Sequence, residues 1–190
     1  MDVLDNSSAP DPATVSYKQI AMRYGAIWGG VSILTTLIAY LTNTDPSLPT
    51  TGAIKYVYML IGFAVAIWAI VTSIRTDRDQ QLGGFISLGR CVGHGALSGL
   101  VAGVIGGIFI LLYVTVINTG FEQQMRDAIT AQYEAQGMSE EQIEMAMSMA
   151  GAFTSPAFMA IGQIFGGVLS GVIIGLIAGL VMKREAFPNR

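Results

Sequence analysis

Few side chains in this sequence could do chemistry, and they lie far apart. His94 is the sole histidine and Cys91 the sole cysteine. An imidazole titrates near neutral pH and can carry protons or bind metal. His94 falls about one turn inside an apolar stretch, where interfacial water or a backbone carbonyl is its expected partner. Cys91 follows Arg90 and has no second cysteine to pair with, so it is expected to be a reduced, unreactive thiol. Gln163 lies within another apolar stretch, and its carboxamide is expected to bond across the membrane interior to Tyr113 or Thr115. His94, Gln163 and Tyr113 are the polar intramembrane candidates, and no Asp, Glu, Lys or Arg sits centrally in an apolar run. Intramembrane ionisable groups are the usual sign of ion or proton coupling. Their scarcity weighs against a proton-coupled pump.

Two further clusters could bind metal. Met145, Met147 and Met149 form a MAMSM run, with Met138 and Met159 nearby. Thioether sulfur suits Cu(I). Positions two apart on a helix point to different sides, however, so padding of an amphipathic face is the expected role. Glu122, Asp127, Glu134, Glu140, Glu141 and Glu144 stand against Arg126 alone, a local charge of −5. Hard cations need several oxygens focused on one point, and no calcium-loop spacing is present. Neither a metal nor a cofactor is expected. There is also no G-x-S-x-G, no paired metal-ligating histidine motif and no phosphate-binding glycine turn. No catalytic residue is assigned, and the chain is read as a non-enzyme.

The strongest pattern is architectural. Gly95, Gly99, Gly103 and Gly107 recur every fourth residue, as do Gly167, Gly171, Gly175 and Gly179, with Gly162 and Gly166 on a neighbouring row. Gly25 and Gly29 form a shorter pair. On a helix this spacing lays a side-chain-free stripe along one face, and in a bilayer such stripes admit another helix to backbone contact. The expected use is packing within one chain. A homodimer or partner-subunit interface is the alternative.

Composition says where such helices live. The 190 residues are 52% hydrophobic and 12% charged, with mean hydropathy +0.56. Soluble domains carry about 25% charged residues. The net charge of −3 argues against a nucleic-acid partner. The apolar residues gather into four runs near 24–41, 56–74, 92–117 and 156–182, each close to the roughly 20 residues that a bilayer requires. Arg23 stops the first run on one side, and Asn43, Asp45, Pro46 and Pro49 turn the chain on the other. Arg75, Asp77, Arg78 and Asp79 mark the end of the second. The GGFISLGR piece reads as an interfacial turn or as the first turns of the third. Ser155 and Pro156 suit the N-cap and first position of the fourth.

With the N-terminus inside, Lys18, Arg23, Arg75, Arg78, Arg90, Lys183, Arg184 and Arg190 are cytoplasmic, and only Lys55 and Arg126 fall outside. The positive-inside rule therefore predicts both termini in the cytoplasm. Tyr40, Tyr56, Tyr58 and Tyr113 then meet the outer interface. Residues 1–17 are polar and hold Asp2, Asp5 and Asp11, unlike a secretory signal. They are expected to form a disordered cytoplasmic tail before a single membrane domain over 18–190. The first span is then expected to act as the uncleaved insertion signal.

Residues 119–154 are the one sizeable extramembrane piece. Phe121, Met125, Ile129 and Tyr133 recur every fourth residue, which predicts an amphipathic helix ending at Gln136 and Gly137. Ser139 with Gln142 has the spacing of a capping box and predicts a second helix from Glu140 to about Ala150. By the charge rule this helical hairpin is an outer lid. The expected fold is thus all-α, an integral membrane four-helix bundle with an extracytoplasmic helical hairpin between spans three and four.

Three stretches, YGAIWGGVSIL, GGFISLGRCVGHGALSG and SEEQIE followed by SPAF, carry a resemblance over Lys18 to Met182. The chain is similar to an uncharacterised family of bacterial four-helix inner-membrane proteins, a domain of unknown function. The resemblance implies a four-span protein of the bacterial inner membrane and carries over no functional residues. The functional expectation is a structural or accessory subunit, embedded in the lipid bilayer, that packs on itself or on a larger membrane complex through glycine-rich faces. A small transporter or channel acting as a dimer is the alternative.

Overall fold

A computed structural model describes residues 15–45, 52–151 and 155–184. The tail up to residue 14, the turn prolines Pro46 and Pro49, residues 152–154 and residues 185–190 lie outside the described residues. The described chain is helical throughout. Its elements are α1 (Lys18–Leu41), α2 (Ile54–Gln80), α3 (Leu88–Leu112), a π-helical turn (Tyr113–Ile117) that continues α3, α4 (Phe121–Ala135), α5 (Glu140–Ala150) and α6 (Pro156–Met182). Four of these, α1, α2, α3 with its continuation, and α6, are long and apolar enough to cross a membrane. Leu34, Leu60, Phe165 and Val181 are each more than half exposed on the outside of the bundle. Large apolar side chains left exposed along long helices mark a surface for a membrane or for another protein.

Local signals place the helix starts. Ser87 caps α3, its hydroxyl accepting from the Arg90 N–H at 3.4 Å. Ser155 caps α6 in the same way through the Phe158 N–H, with Pro156 in the first turn. Ser139 and Gln142 form both arms of a capping box on α5. Gly137, with φ +78°, turns the chain between α4 and α5, a left-handed conformation that costs glycine little.

The GGFISLGR piece divides into a turn and a strap. Gly83 and Gly84 take positive φ. Ile86 then exchanges two backbone hydrogen bonds with Arg184, at 2.9 and 3.0 Å, and so ties the start of α3 to the end of α6. Helix α3 begins at Leu88, earlier than the apolar run suggested. Helix α2 runs on to Gln80, so Asp77 lies within it and does not mark its end.

Helices α3 and α6 form an antiparallel central pair. A Cβ on Gly95 would collide with the carbonyl of Gly171, and one on Gly99 with that of Gly167. Added at Gly103 it would come within 2.7 Å of the Gln163 carbonyl oxygen, at Gly107 within 2.9 Å of that of Ala160, and at Gly175 within 2.8 Å of that of Cys91. Gly179 faces the side chains of Leu88 and Cys91. Helix α1 lies on α3: a Cβ on Gly25 would approach the Ser98 carbonyl at 2.5 Å, and Gly29 faces Ile105. The Ser98 hydroxyl donates across this contact to the Ala21 carbonyl at 2.9 Å.

Gly162 and Gly166 correct the sequence reading. Nothing lies within 4 Å of a Cβ built at either position. One residue on a helix is about 100° of rotation, so this row is set off from the contact face, and Gly166 borders a small cavity with Gly103 and Gly106 of α3.

Candidate functional site

The end of the bundle that carries Arg75, Arg78, Arg90, Lys183 and Arg184 is its basic end; the other is its lid end. At the basic end the buried face of α2 is Ala66, Ala69, Ile70, Ser73, Ile74 and Asp77. This stripe recurs at three- and four-residue steps, and its last members carry a hydroxyl and a carboxylate into the interior. On α3, Arg90 and His94 are also four apart and share one face. The two faces meet.

Arg90 grips Asp77 with two prongs, Nε to Oδ2 at 2.6 Å and Nη2 to Oδ1 at 2.9 Å. His94 Nε2 lies 2.9 Å from Asp77 Oδ2, and His94 Nδ1 lies 2.7 Å from Ser73 Oγ. Asp77 and His94 are wholly buried, and the Arg90 side chain is 8% exposed. A carboxylate can only accept, so Nε2 carries a ring proton. Nδ1 shares a hydrogen bond with the Ser73 hydroxyl, its direction set by the protonation of the ring. Asp77 and Arg90 meet in a bidentate, charge-assisted geometry of the kind that survives burial.

Tyr17, just before α1, closes the cluster. Its ring centroid is 4.9 Å from that of His94, and the Arg90 guanidinium carbon lies 5.2 Å from the same ring. Gly93 makes room for it, since a Cβ there would come within 2.6 Å of the tyrosine oxygen. Cys91 is buried beside α6.

Ser73, His94 and Asp77 are bonded in the order familiar from serine hydrolases. The resemblance ends at the bonding pattern. The Ser73 side chain is fully buried, and both carboxylate oxygens accept from Arg90. The arrangement locks α2 to α3.

His94 thus bonds to Ser73 and Asp77, not to interfacial water or a backbone carbonyl. The sequence reading missed Asp77 because a charged residue near Arg75 and Arg78 looks like a helix terminator. The helical phase from Ala66 through Ser73 was the signal that could have found it.

A second polar cluster stands at the lid end. The Tyr113 hydroxyl donates to Asp45 Oδ2 at 2.7 Å, and Asn118 Nδ2 approaches the Tyr113 oxygen at 3.4 Å. Tyr113 and Asp45 are buried. The π-helical turn begins at Tyr113, and its closing bond runs from the Asn118 N–H to the Tyr113 carbonyl at 2.7 Å. The wide turn brings Asn118 back over Tyr113. Phe121 stacks edge-on against Tyr113, with centroids 5.9 Å apart, and joins α4 to the bundle.

Gln163 makes neither bond expected of it. Tyr113 is engaged by Asp45, and the Thr115 hydroxyl donates to the Leu111 carbonyl at 2.6 Å. Gln163 instead is exposed on α6 and lines a cavity of about 600 Å³ between α1, α2 and α6.

Among the described residues no three of His, Cys, Asp and Glu converge as metal ligands. On α5, Met145 is 65% exposed.

Four apolar spans, a glycine-faced central helix pair and an enclosed ion network define a multi-pass helical membrane protein. The chain belongs to a family described as protein of unknown function (DUF4199), which matches residues 23–184. No curated protein and no solved structure matches the chain.

Proposed function

We propose that the protein is a non-enzymatic structural or accessory component of the bacterial inner membrane. One observation carries this reading: the ionisable groups inside the basic end, Arg90 and His94, both bond to the wholly buried Asp77, and the Arg90 side chain is only 8% exposed. A proton or ion path needs groups that change partners between two accessible sides. A catalytic site needs a cleft that brings substrate to them. A locked network supplies neither and instead fixes helix positions.

The charge rule further supports cytoplasmic termini and an outer position for α4 and α5. The glycine rows on α3 and α6 are occupied within the chain, so docking to a second copy or to another subunit is assigned to the open face at Gly162. Small residues on an exposed helix face allow such an approach.

The experiment is purification from the native membrane in mild detergent, with native mass and copurifying chains determined. A stoichiometric companion, or a dimer dissociated by Gly162→Leu, is the expected result. A monomer without companion overturns the accessory reading. The second reading, a small transporter or channel acting as a dimer, is favoured by the open cavity beside Gln163. Substrate flux in reconstituted vesicles would support it.

A further inference from the structure

The buried residues of α2 all lie from Ala66 onward, towards the basic end. From Ile54 to Val65 its residues are half-buried or exposed, the Tyr58 hydroxyl is bonded to Thr44 Oγ1 at 2.8 Å, and the 600 Å³ cavity lies between this stretch, α1 and Gln163 of α6. Two smaller cavities of about 170 and 230 Å³ share Ser32, Gln163, Met59 and Gly62 with it and continue the groove past Trp28.

The groove has a head and a body of different chemistry. Lys55 and Tyr58 stand at its mouth, with the Lys55 ammonium 5.3 Å from the centroid of the Tyr56 ring. Below them the walls are Val31, Met59, Gly62 and Val65. Ser32, Thr35 and Thr36 spend their hydroxyl protons on carbonyls four residues back, at 3.0, 2.8 and 3.0 Å, so they present oxygen only. Gln163 brings a carboxamide, whose N–H groups can donate, to the same cavity.

From Lys55 to Ala66 the helix rises about 16 Å at 1.5 Å per residue. That is close to half of a hydrocarbon core of about 30 Å. A groove one leaflet deep, cationic at its mouth and apolar along its body, has the dimensions of one lipid. We propose that it holds a single membrane phospholipid. Its phosphate meets Lys55, an ester carbonyl accepts from Gln163, and one acyl chain lies between α1 and α2 as far as Trp28. The Tyr58 hydroxyl is already engaged by Thr44. Among the described residues Lys55 is the one cation lining the cavity, which is why the occupant is a phosphate-bearing lipid and not a neutral helix.

Gly62 allows a direct test. A Cβ there meets open space, so a large side chain at this position enters the groove without striking the backbone of another helix. The protein is reconstituted in nanodiscs of phosphatidylglycerol and phosphatidylethanolamine, extracted into delipidating detergent and weighed by native mass spectrometry. One phospholipid per chain is expected on the natural protein. Gly62→Trp is expected to remove it, and Lys55→Glu to lower retention at least tenfold, both with unchanged elution and thermal unfolding. Should Gly62→Trp fail to fold, Lys55→Glu at the half-buried rim decides alone. No retained lipid, or equal retention in the foldable variants, overturns the proposal. So does a photocrosslinker at Gly62 that captures a polypeptide in place of lipid. The accessory reading stands or falls separately, on copurification and on Gly162→Leu, a position that lines none of these cavities.

Discussion

Asp77 on α2 and Arg90 on α3 are joined by two short bonds, and His94 takes a second contact on one of the same carboxylate oxygens. Removing one partner of a buried pair leaves the other charge without compensation, at a cost of about 3–5 kcal/mol. Asp77→Asn and Arg90→Gln are each expected to destabilise the bundle by that order. The double variant Asp77→Leu with Arg90→Met removes both charges and should lose less than the two single changes added together. Unfolding in mixed micelles under rising denaturant measures all three. Strict additivity would mean the pair is not coupled.

The glycine seam makes a sharper distinction than size alone. At Gly171 even a methyl group would strike the backbone of Gly95, so the obstacle cannot rotate away. Gly171→Ala is therefore expected to cost at least the ~1–3 kcal/mol usual for overpacking, and Gly171→Leu more. Gly103→Ala and Gly103→Leu should follow the same order, because backbone of α6 faces that position too. Gly162→Leu points into open space and should change monomer stability by no more than about 0.5 kcal/mol. Thermal aggregation midpoints of the purified variants provide the comparison. Equal behaviour of Gly162→Leu and Gly171→Leu would contradict the antiparallel register.

Tyr113→Phe deletes the hydroxyl that donates to Asp45 and leaves a buried carboxylate oxygen short of one partner. A loss of about 1–3 kcal/mol is expected. The same change releases the bond from Asn118, so protease nicking near α4 should rise along with the loss of stability. Stability lost without faster cleavage near residue 121 would place the effect on the spans alone.

Thiol labelling reads two features in one experiment. Cys91 is buried and should resist maleimide in the folded protein, becoming reactive only in denaturing detergent. Glu140→Cys, made together with Cys91→Ser, should be labelled by an impermeant reagent on intact cells if α4 and α5 lie outside. Labelling that requires permeabilised cells would reverse the orientation drawn from the basic residues.

How much of this was legible depended on whether a residue's role was local. Apolar run length is local, and it located the four spans. Capping is local too: Ser139 and Gln142 sit three apart, and they bond as that spacing requires. Asp77 was not legible as an isolated letter, because the charges beside it imitate a helix end. It needed the phase of the whole of α2. Asp45 lies in a turn next to Pro46, so nothing in its neighbourhood announces a bond to Tyr113, 68 residues further on. Gln163 failed in the opposite direction. Its depth in an apolar run suggested an inward polar contact, whereas its side chain is exposed and lines the groove.

The contact between Gly95 and Gly171 also sets a timetable for biogenesis. Helix α3 leaves the ribosome with its notched face complete, but the face that fits it is encoded beyond residue 156. At roughly 5–20 residues per second, synthesis of the intervening chain and of α6 takes on the order of several seconds. During that interval the nascent α3 is adhesive and unmatched within the bilayer. A neighbouring polysome therefore competes with the chain's own last span, and an exchanged pair, α6 of one molecule seated on α3 of its neighbour, is the misassembly that dense expression would favour.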